Sequence, residues 1–467
     1  MALEPDADGE LLARFDGYSL SLGTFSAVAL DRAQGLRTGL LLASFVSTGR
    51  NVDRELELLV RRLAKRGLIE YGLRRPAGDD ELVVIEPQVP DYRPRTPQLR
   101  ETDTVVLSRF AYMRRRGGDM VLESPRAGAI FKICEPKIAA TLAALTEPRQ
   151  IKRLRRQDGF PGIACLALLL DCKILFKVDA AGASGFRPVE GDHDLVLWDF
   201  HDLLFHARST EGRHANPLGG LTPFAGAIAP APAVRPRWPG KKIDLRRLTS
   251  MQSSAQSPFT RLLRERRSTR EFDALQPLTL AELARFLDGT ARILSKSRHP
   301  IDPRPGAPEV EYTHRPYPSA GASYELELYV AAGQCEGLAR GLYHYDADAH
   351  ALLPIGTRID DFEALLAGAQ FAMGATSAPP ILITMAARFG RVSWKYSSIA
   401  YALVLKDVGV LLQTFYLMAA DMGLGGCAIG ITNIELFARM TGVEFHVEGP
   451  VGQFALGRAA NRGPSNR

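Results

Sequence analysis

Residues 391–431, RVSWKYSSIAYALVLKDVGVLLQTFYLMAADMGLGGCAIGI, open with a Lys-Tyr pair and close on a glycine cluster. Between them, Ile399, Ala402, Leu403, Leu405, Val408, Leu412, Phe415, Tyr416 and Ala419 keep the three-and-four spacing of a helix buried on most of its surface. Lys406 and Asp407 sit mid-segment and Asp421 near its end, and charges there argue against a membrane span. The stretch therefore reads as the central helix of a globular core. Gly423, Gly425 and Gly426 are expected to end the helix and let the backbone approach a ligand such as a cofactor.

The composition is that of ordinary globular material. A chain of 467 residues, 46% hydrophobic and 24% charged, can bury a large core and is expected to form two or three domains. The start MALEPDADGELL has neither a basic nor an apolar signal region, so the expected compartment is cytoplasmic. Cys134, Cys165, Cys172, Cys335 and Cys427 have no metal-ligand spacing and are too sparse for a disulfide framework; they read as buried, reduced thiols. A net charge of +6 suits polyanions or acidic peptides without choosing between them.

In the front half, residues 10–75 read as a strand pair, helices and a strand. Asn51 is the expected cap of a helix lined by Leu56, Leu59, Val60 and Leu63 and stopped by Gly67, with the strand LIEYGL after it. A Pro-rich connector, 87–97, leads to a second copy: MVLESPRAGAIFKI for strands, EPKIAATLAALTEPRQIKRLRRQ for helices, CKILFKV for a closing strand. The expectation is two tandem winged-helix modules, 1–90 and 98–190. The basic runs Arg61-Arg62, Lys65-Arg66, Arg114 to Arg116 and Lys152 to Arg156 could serve as solvated helix faces, help capture an extended acidic peptide, or bind DNA. No recognition helix rich in aromatic or amide side chains favours DNA.

The Asp and His residues of DHDLVLWDFHDLLFH, 192–206, invite a metal reading, but His201 and His206 are five apart and diverge on a helix. They are expected to be structural, and no metal is expected. Residues 211–257 then turn Pro-, Ala- and Gly-rich, with Pro217, Pro223, Pro230, Pro232, Pro236 and Pro239, as in a linker or an arm laid over a neighbour. This gives a connecting region at 191–255 and a last domain at 256–467.

That domain carries the chemistry. After a short helix from Phe259 to Glu265, RERRSTREFD gathers Arg264, Arg266, Arg267 and Arg270 around Ser268, which is either an anion site or a solvated basic turn. Thr279 and Glu282 form a capping box in PLTLAELARFLDG. Residues 298–318, with six prolines, read as a stiff loop rimming a pocket. In PSAGASYELELYVAA, small residues precede the alternating strand Tyr324 to Val330 and could lie flat against a ring system.

Taken in order, RRSTREF, PSAGASYELELYV, the WKY segment with its long continuation, and VGQFALG resemble the flavin-dependent azoline dehydrogenases of the SagB/ThcOx type. The resemblance covers roughly residues 195–460, and the front half is similar to the peptide-clamp region of such enzymes. Gln453 stands where similar sequences more often carry an acid. The resemblance implies an α+β, nitroreductase-like domain whose sheet is mixed, mainly antiparallel, and flanked by helices. It implies FMN at the interface of a homodimer with exchanged arms. Arg266, Ser268 and Arg270, with Arg267 alongside, match the FMN-binding motif; Pro318, Ser319, Ala320 and Gly321 match the loop under the ring. Gly425, Cys427, Ala428, Ile429 and Gly430 match the loop closing over it, and Arg458 is implied as a ligand from the partner chain.

Lys395 and Tyr396 match the family's catalytic pair. Aromatising a thiazoline or oxazoline needs a carbon-bound proton removed while hydride passes to the flavin, and an ammonium beside a phenol stabilises the phenolate that would take that proton. The expected substrate is an azoline-containing, ribosomally made or carrier-bound peptide, with a cyclodehydratase as a further partner and neither nucleic acid nor membrane. Rival readings are an NAD(P)H-dependent nitroreductase or enone reductase of free small molecules, a flavin-sensing DNA-binding regulator, and a silent scaffold for a cyclodehydratase.

Overall fold

The computed structural model describes residues 2–6, 10–15, 18–37, 39, 41, 51–64, 66–75, 80–89, 92–178, 193–216, 218–237, 239–246 and 257–460. The chain divides into two compact units, 1–216 and 217–467.

In the first unit, a three-stranded antiparallel sheet from Ala2 to Thr24 packs Leu11, Ala13 and Leu22 on the helix Asn51–Ala64. That helix buries Leu56, Leu59 and Leu63, as its spacing predicts, while Val60 is half-buried. The Asn51 side chain, Lys65, residues 179–190 of the second expected module and Pro217 lie outside the described residues. A second, five-stranded antiparallel sheet runs in the order Tyr71–Arg74, Glu81–Pro87, Ala129–Ile133, Asp119–Glu123, Tyr112–Arg116. Val83 pairs with Ile133 and Ile85 with Phe131, so this sheet crosses the expected division at 90–98. Both sides of that division also share one core, with Val83, Ile85, Leu122, Phe131, Leu142 and Leu166. The connector had hidden this because pairing between distant strands leaves no local signal.

Most of the basic runs have partners. Arg61 pairs with Glu57, Arg114 with Glu123, Arg116 with Glu86 and Arg155 with Glu101, while Arg62 and Arg66 donate to the carbonyls of Leu22 and Ser21. His206 is fully buried and stacks on Trp198 at 5.9 Å. All five cysteines are free, but Cys134 is exposed and Cys335 half-exposed, contrary to the expectation of uniformly buried thiols.

The second unit is α+β. Six antiparallel strands run in the order Ala351–Ile355, Gly341–Asp346, Leu326–Ala332, Ile381–Arg388, Glu448–Gly457, Gly425–Ile429. The sequence ILITMAA is apolar at consecutive positions and is buried throughout, because both faces of this central strand are covered. One face packs on the helices Ile359–Met373 and Ile434–Thr441. On the other, Phe454 meets Phe415 of the central helix Ala400–Asp421 at 5.3 Å, and Phe286 of the helix Leu280–Ala291 closes the cluster.

The central helix runs as expected, but it is not buried around most of its surface. Its buried stripe is Ala400, Tyr401, Val404, Asp407, Val408, Leu411, Phe415 and Ala419, while Ile399, Ala402, Lys406 and Gly409 are exposed. Its length and apolarity equal those of a membrane span, yet Asp407 is bonded into the domain. The expected loop at 298–318 is largely an exposed hairpin, Ser295–Pro300 with Glu309–His314, whose cross-strand pairing escapes a reading based on proline content. Of the expected arm, Leu221, Phe224, Ile228, Val234, Ile243 and Leu245 are all more than half exposed.

Candidate functional site

Two clusters gather the expected site residues. In the first, the helix Pro258–Glu265 ends at Arg266 and the chain then runs extended past the strand Gly425–Ile429. Ser268 bridges to Gly426, and the Thr269 N–H donates to the Gly426 carbonyl at 2.8 Å. Gly425 and Gly426 are glycines because this approach leaves no room: a Cβ on Gly425 would lie 2.6 Å from the Thr269 side chain, and one on Gly426 would overlap Phe454. Tyr416, from the central helix, ties the segments together. Its hydroxyl lies 2.8 Å from Ser268 Oγ and accepts the Ala428 N–H at 2.9 Å, while the Arg266 guanidinium sits 4.8 Å over its ring. The helix reading had counted Tyr416 only as an apolar position; its polar tip was the available signal.

Arg266 is half-buried, Arg267 and Arg270 are exposed, and none of the three has a carboxylate partner among the described residues. Three such guanidinium groups within two residues of Ser268 along the chain suit a phosphate. Cys427 is buried in the core, and that burial, opposed by Arg270, pushes its thiol up.

Residues 425–429 form an edge strand of the sheet and not the expected closing loop; the helix is ended by Gly423, at φ 68°. Ile429 points into the core, and Gly430 is exposed. Arg458 pairs with Glu282 of its own chain, the same carboxylate that completes the capping box with Thr279. Gln453 is buried in the sheet, donating to Thr384 Oγ1 at 3.1 Å.

The second cluster forms around Pro318, Ser319, Ala320 and Gly321. Gly321 adopts φ 56°, and a Cβ there would overlap the Tyr396 hydroxyl and lie 2.6 Å from Lys395 Nζ. Lys395 Nζ donates to the Gly321 carbonyl at 3.1 Å and stands 5.6 Å from the rings of both Tyr396 and Tyr312. Tyr312, from the hairpin, was not among the expected site residues. Non-glycine left-handed conformations flank the cluster at Ala322, Tyr324 and Ser398, the kind of strain that a surrounding structure holds at functional sites. Asp407 supports the turn from the central helix, its Oδ2 accepting the Ala320 N–H at 2.9 Å.

Asp407 and Tyr416 are nine residues apart on one helix, about two and a half turns. They leave it on opposite sides, so the two clusters do not share a face. Among the described residues no group of His, Cys, Asp and Glu is arranged to hold a metal.

The family model for the cyanobactin oxidase ThcOx matches residues 105–215, and that for the nitroreductase family matches residues 263–458. A nitroreductase from Methanocaldococcus jannaschii is 31% identical over 169 residues, covering 36% of this chain and 76% of the relative. Similar solved structures include a nitroreductase from Ralstonia eutropha, with 23% identity, 45% of this chain and 87% of that one covered, and a TM-score of 0.33. Another is the Escherichia coli microcin synthetase McbBCD complex with truncated pro-MccB17 bound, with 19% identity, 60% and 100% covered, and a TM-score of 0.41. Identity to the archaeal relative over most of its length, together with the sheet, the central helix and both clusters in the matched region, makes this chain a member of the nitroreductase family of oxidoreductases, with a ThcOx-type segment ahead of that domain.

Proposed function

We propose that the protein is an FMN-dependent dehydrogenase that oxidises thiazolines or oxazolines in a peptide to the aromatic azoles. The observation that carries this reading is the meeting of Lys395 and Tyr396 at Gly321, within the turn of small residues. A Cβ at Gly321 would fill the space these two side chains occupy, and the Arg266, Ser268 and Arg270 cluster has the donor chemistry for the phosphate. FMN, when bound, supplies the hydride acceptor. Tyr396, as its phenolate, takes the proton from the substrate carbon and becomes the phenol, and the Lys395 ammonium, fixed by the Gly321 carbonyl, stabilises that phenolate before the transfer. Both side chains reach solvent, as access for a peptide requires.

Because the two clusters leave the central helix on opposite sides, the reading includes a homodimer in which one copy supplies the Arg266 cluster and the other the Lys395 cluster. The exposed apolar side chains between Leu221 and Leu245 support an arm laid on that second copy. The ThcOx match at 105–215 supports a peptide-holding role for the first unit, where a cavity of about 570 Å³ opens beside Tyr112, Glu123 and Arg208. A cyclodehydratase is the partner whose chemistry makes the azoline.

The test is direct. Purified full-length protein should be yellow, with about one FMN per chain, and should convert an azoline-containing peptide to its azole with loss of two hydrogens. Protein that reduces nitro compounds with NAD(P)H but leaves azoline peptides untouched would favour the small-molecule reductase instead.

A further inference from the structure

Ser319 Oγ stands between two buried carboxyl groups, 3.0 Å from Asp407 Oδ2 and 3.2 Å from Glu325 Oε2, and it accepts the Tyr324 N–H at 2.9 Å. A hydroxyl has one proton to give. If Ser319 donates to one carboxylate, the other faces a lone pair unless that carboxyl itself carries hydrogen. Asp407 Oδ2 already accepts the Ala320 N–H at 2.9 Å, which suits an anion. Glu325 has no exposed surface, and its Oε1 has no hydrogen-bond partner. An ion there would be stripped of water on one oxygen and opposed by Asp407 at the other.

We propose that Glu325 is a positioning residue that keeps its proton well above the ordinary carboxyl range and donates it to Ser319 Oγ, which in turn donates to the Asp407 carboxylate. One shared proton thereby locks the Ser319–Gly321 turn whose carbonyl holds Lys395. Other ionisable groups near Glu325 are Arg391, from the short helix Phe389–Ser393, the buried phenol of Tyr317, and Glu327 two residues on along the strand. The Arg391 guanidinium is bound to the Ser323 carbonyl at 3.0 Å and acts on the Glu325 carboxyl only through space, with no ion pair between them. Burial, with Asp407 adding to it, pushes the Glu325 carboxyl up to about 7 from an ordinary 4.5. The folded chain therefore holds a proton that the unfolded chain releases. This contribution to stability is full below the ordinary carboxyl range and is lost as pH rises through the folded value.

The proton count does not rest on the flavin reading, and the experiment keeps the two apart. Infrared difference spectra of full-length protein, parent against Glu325→Gln, should contain a protonated carboxyl C=O band at about pH 6 that disappears in alkali. In thermal melts from about pH 5 to about pH 8 the parent should lose stability more steeply than Glu325→Gln, which should match the parent at the acid end because the amide donates as the acid does. Glu325→Ala should be destabilised throughout. If azoline oxidation is present, its decline with rising pH should be relieved by the Gln variant; if it is absent, the band and the melts still decide. Absence of the band at about pH 6, a parental pH slope in Glu325→Gln, or a Gln variant as unstable at acid pH as Glu325→Ala would each overturn the assignment.

Discussion

The Tyr416 hydroxyl lies 2.8 Å from Ser268 Oγ and receives the Ala428 N–H at 2.9 Å, joining the central helix and the strand after it to a segment distant in sequence. Tyr416→Phe deletes both bonds and leaves the Ala428 N–H without this acceptor. The expected result is FMN binding weakened about 10-fold, or about 1.4 kcal/mol, measured by flavin fluorescence titration. Unchanged affinity would detach this junction from the phosphate site.

Chemistry and cofactor binding should separate at the other cluster. Lys395→Ala and Tyr396→Phe touch neither Ser268 nor the guanidinium groups, so each should retain bound FMN while azoline oxidation falls about 100-fold. Because the two residues act as one unit, the double variant should be little worse than the worse single one. Parental rates in both variants, or activity lost only along with FMN, would remove the assigned role.

Gly321→Ala tests the meeting point itself. The new methyl would overlap the Tyr396 hydroxyl at a backbone φ of 56°. Activity should drop about 100-fold as the pair is displaced, with a stability loss of about 1–2 kcal/mol from the left-handed backbone. A fully active Ala variant would mean that the pair has freedom the packing denies it.

Co-expression of two inactive chains tests the composite site. If Arg266→Ala breaks one half and Lys395→Ala the other, a mixed dimer keeps one intact site, and random pairing should restore about a quarter of parental activity. No recovery from a mixed dimer demonstrated in solution would place each site within one chain.

Stability offers a check independent of catalysis. Thr279 caps its helix by accepting the Glu282 N–H at 3.2 Å, and Glu282 also receives Arg458. Thr279→Ala should cost about 1 kcal/mol and lower the melting temperature by about 2–4 °C, read by calorimetry.

By itself the sequence determined what depends on neighbours along the chain. The central helix, the Thr279 cap and the helix before Arg266 are each written in spacing or in a single turn of residues, whereas the strand expected to alternate from Tyr324 runs Leu326–Ala332 and is buried on both faces. The motifs around Ser268, Gly321 and Lys395 were legible for the same reason, as short runs with local chemistry. What only the tertiary structure decided depends on contact between distant segments: the sheet that joins Val83 to Ile133, the hairpin at 295–314, and the strand made of glycines 425 and 426. The same holds for the capture of Arg458 by Glu282, the placement of Tyr312 beside Lys395, and the burial of Glu325 against Asp407. Periodicity sets which residues face inward, but the partner across the core, and with it the charge and hydrogen bonding of a buried group, is set when separate segments pack together.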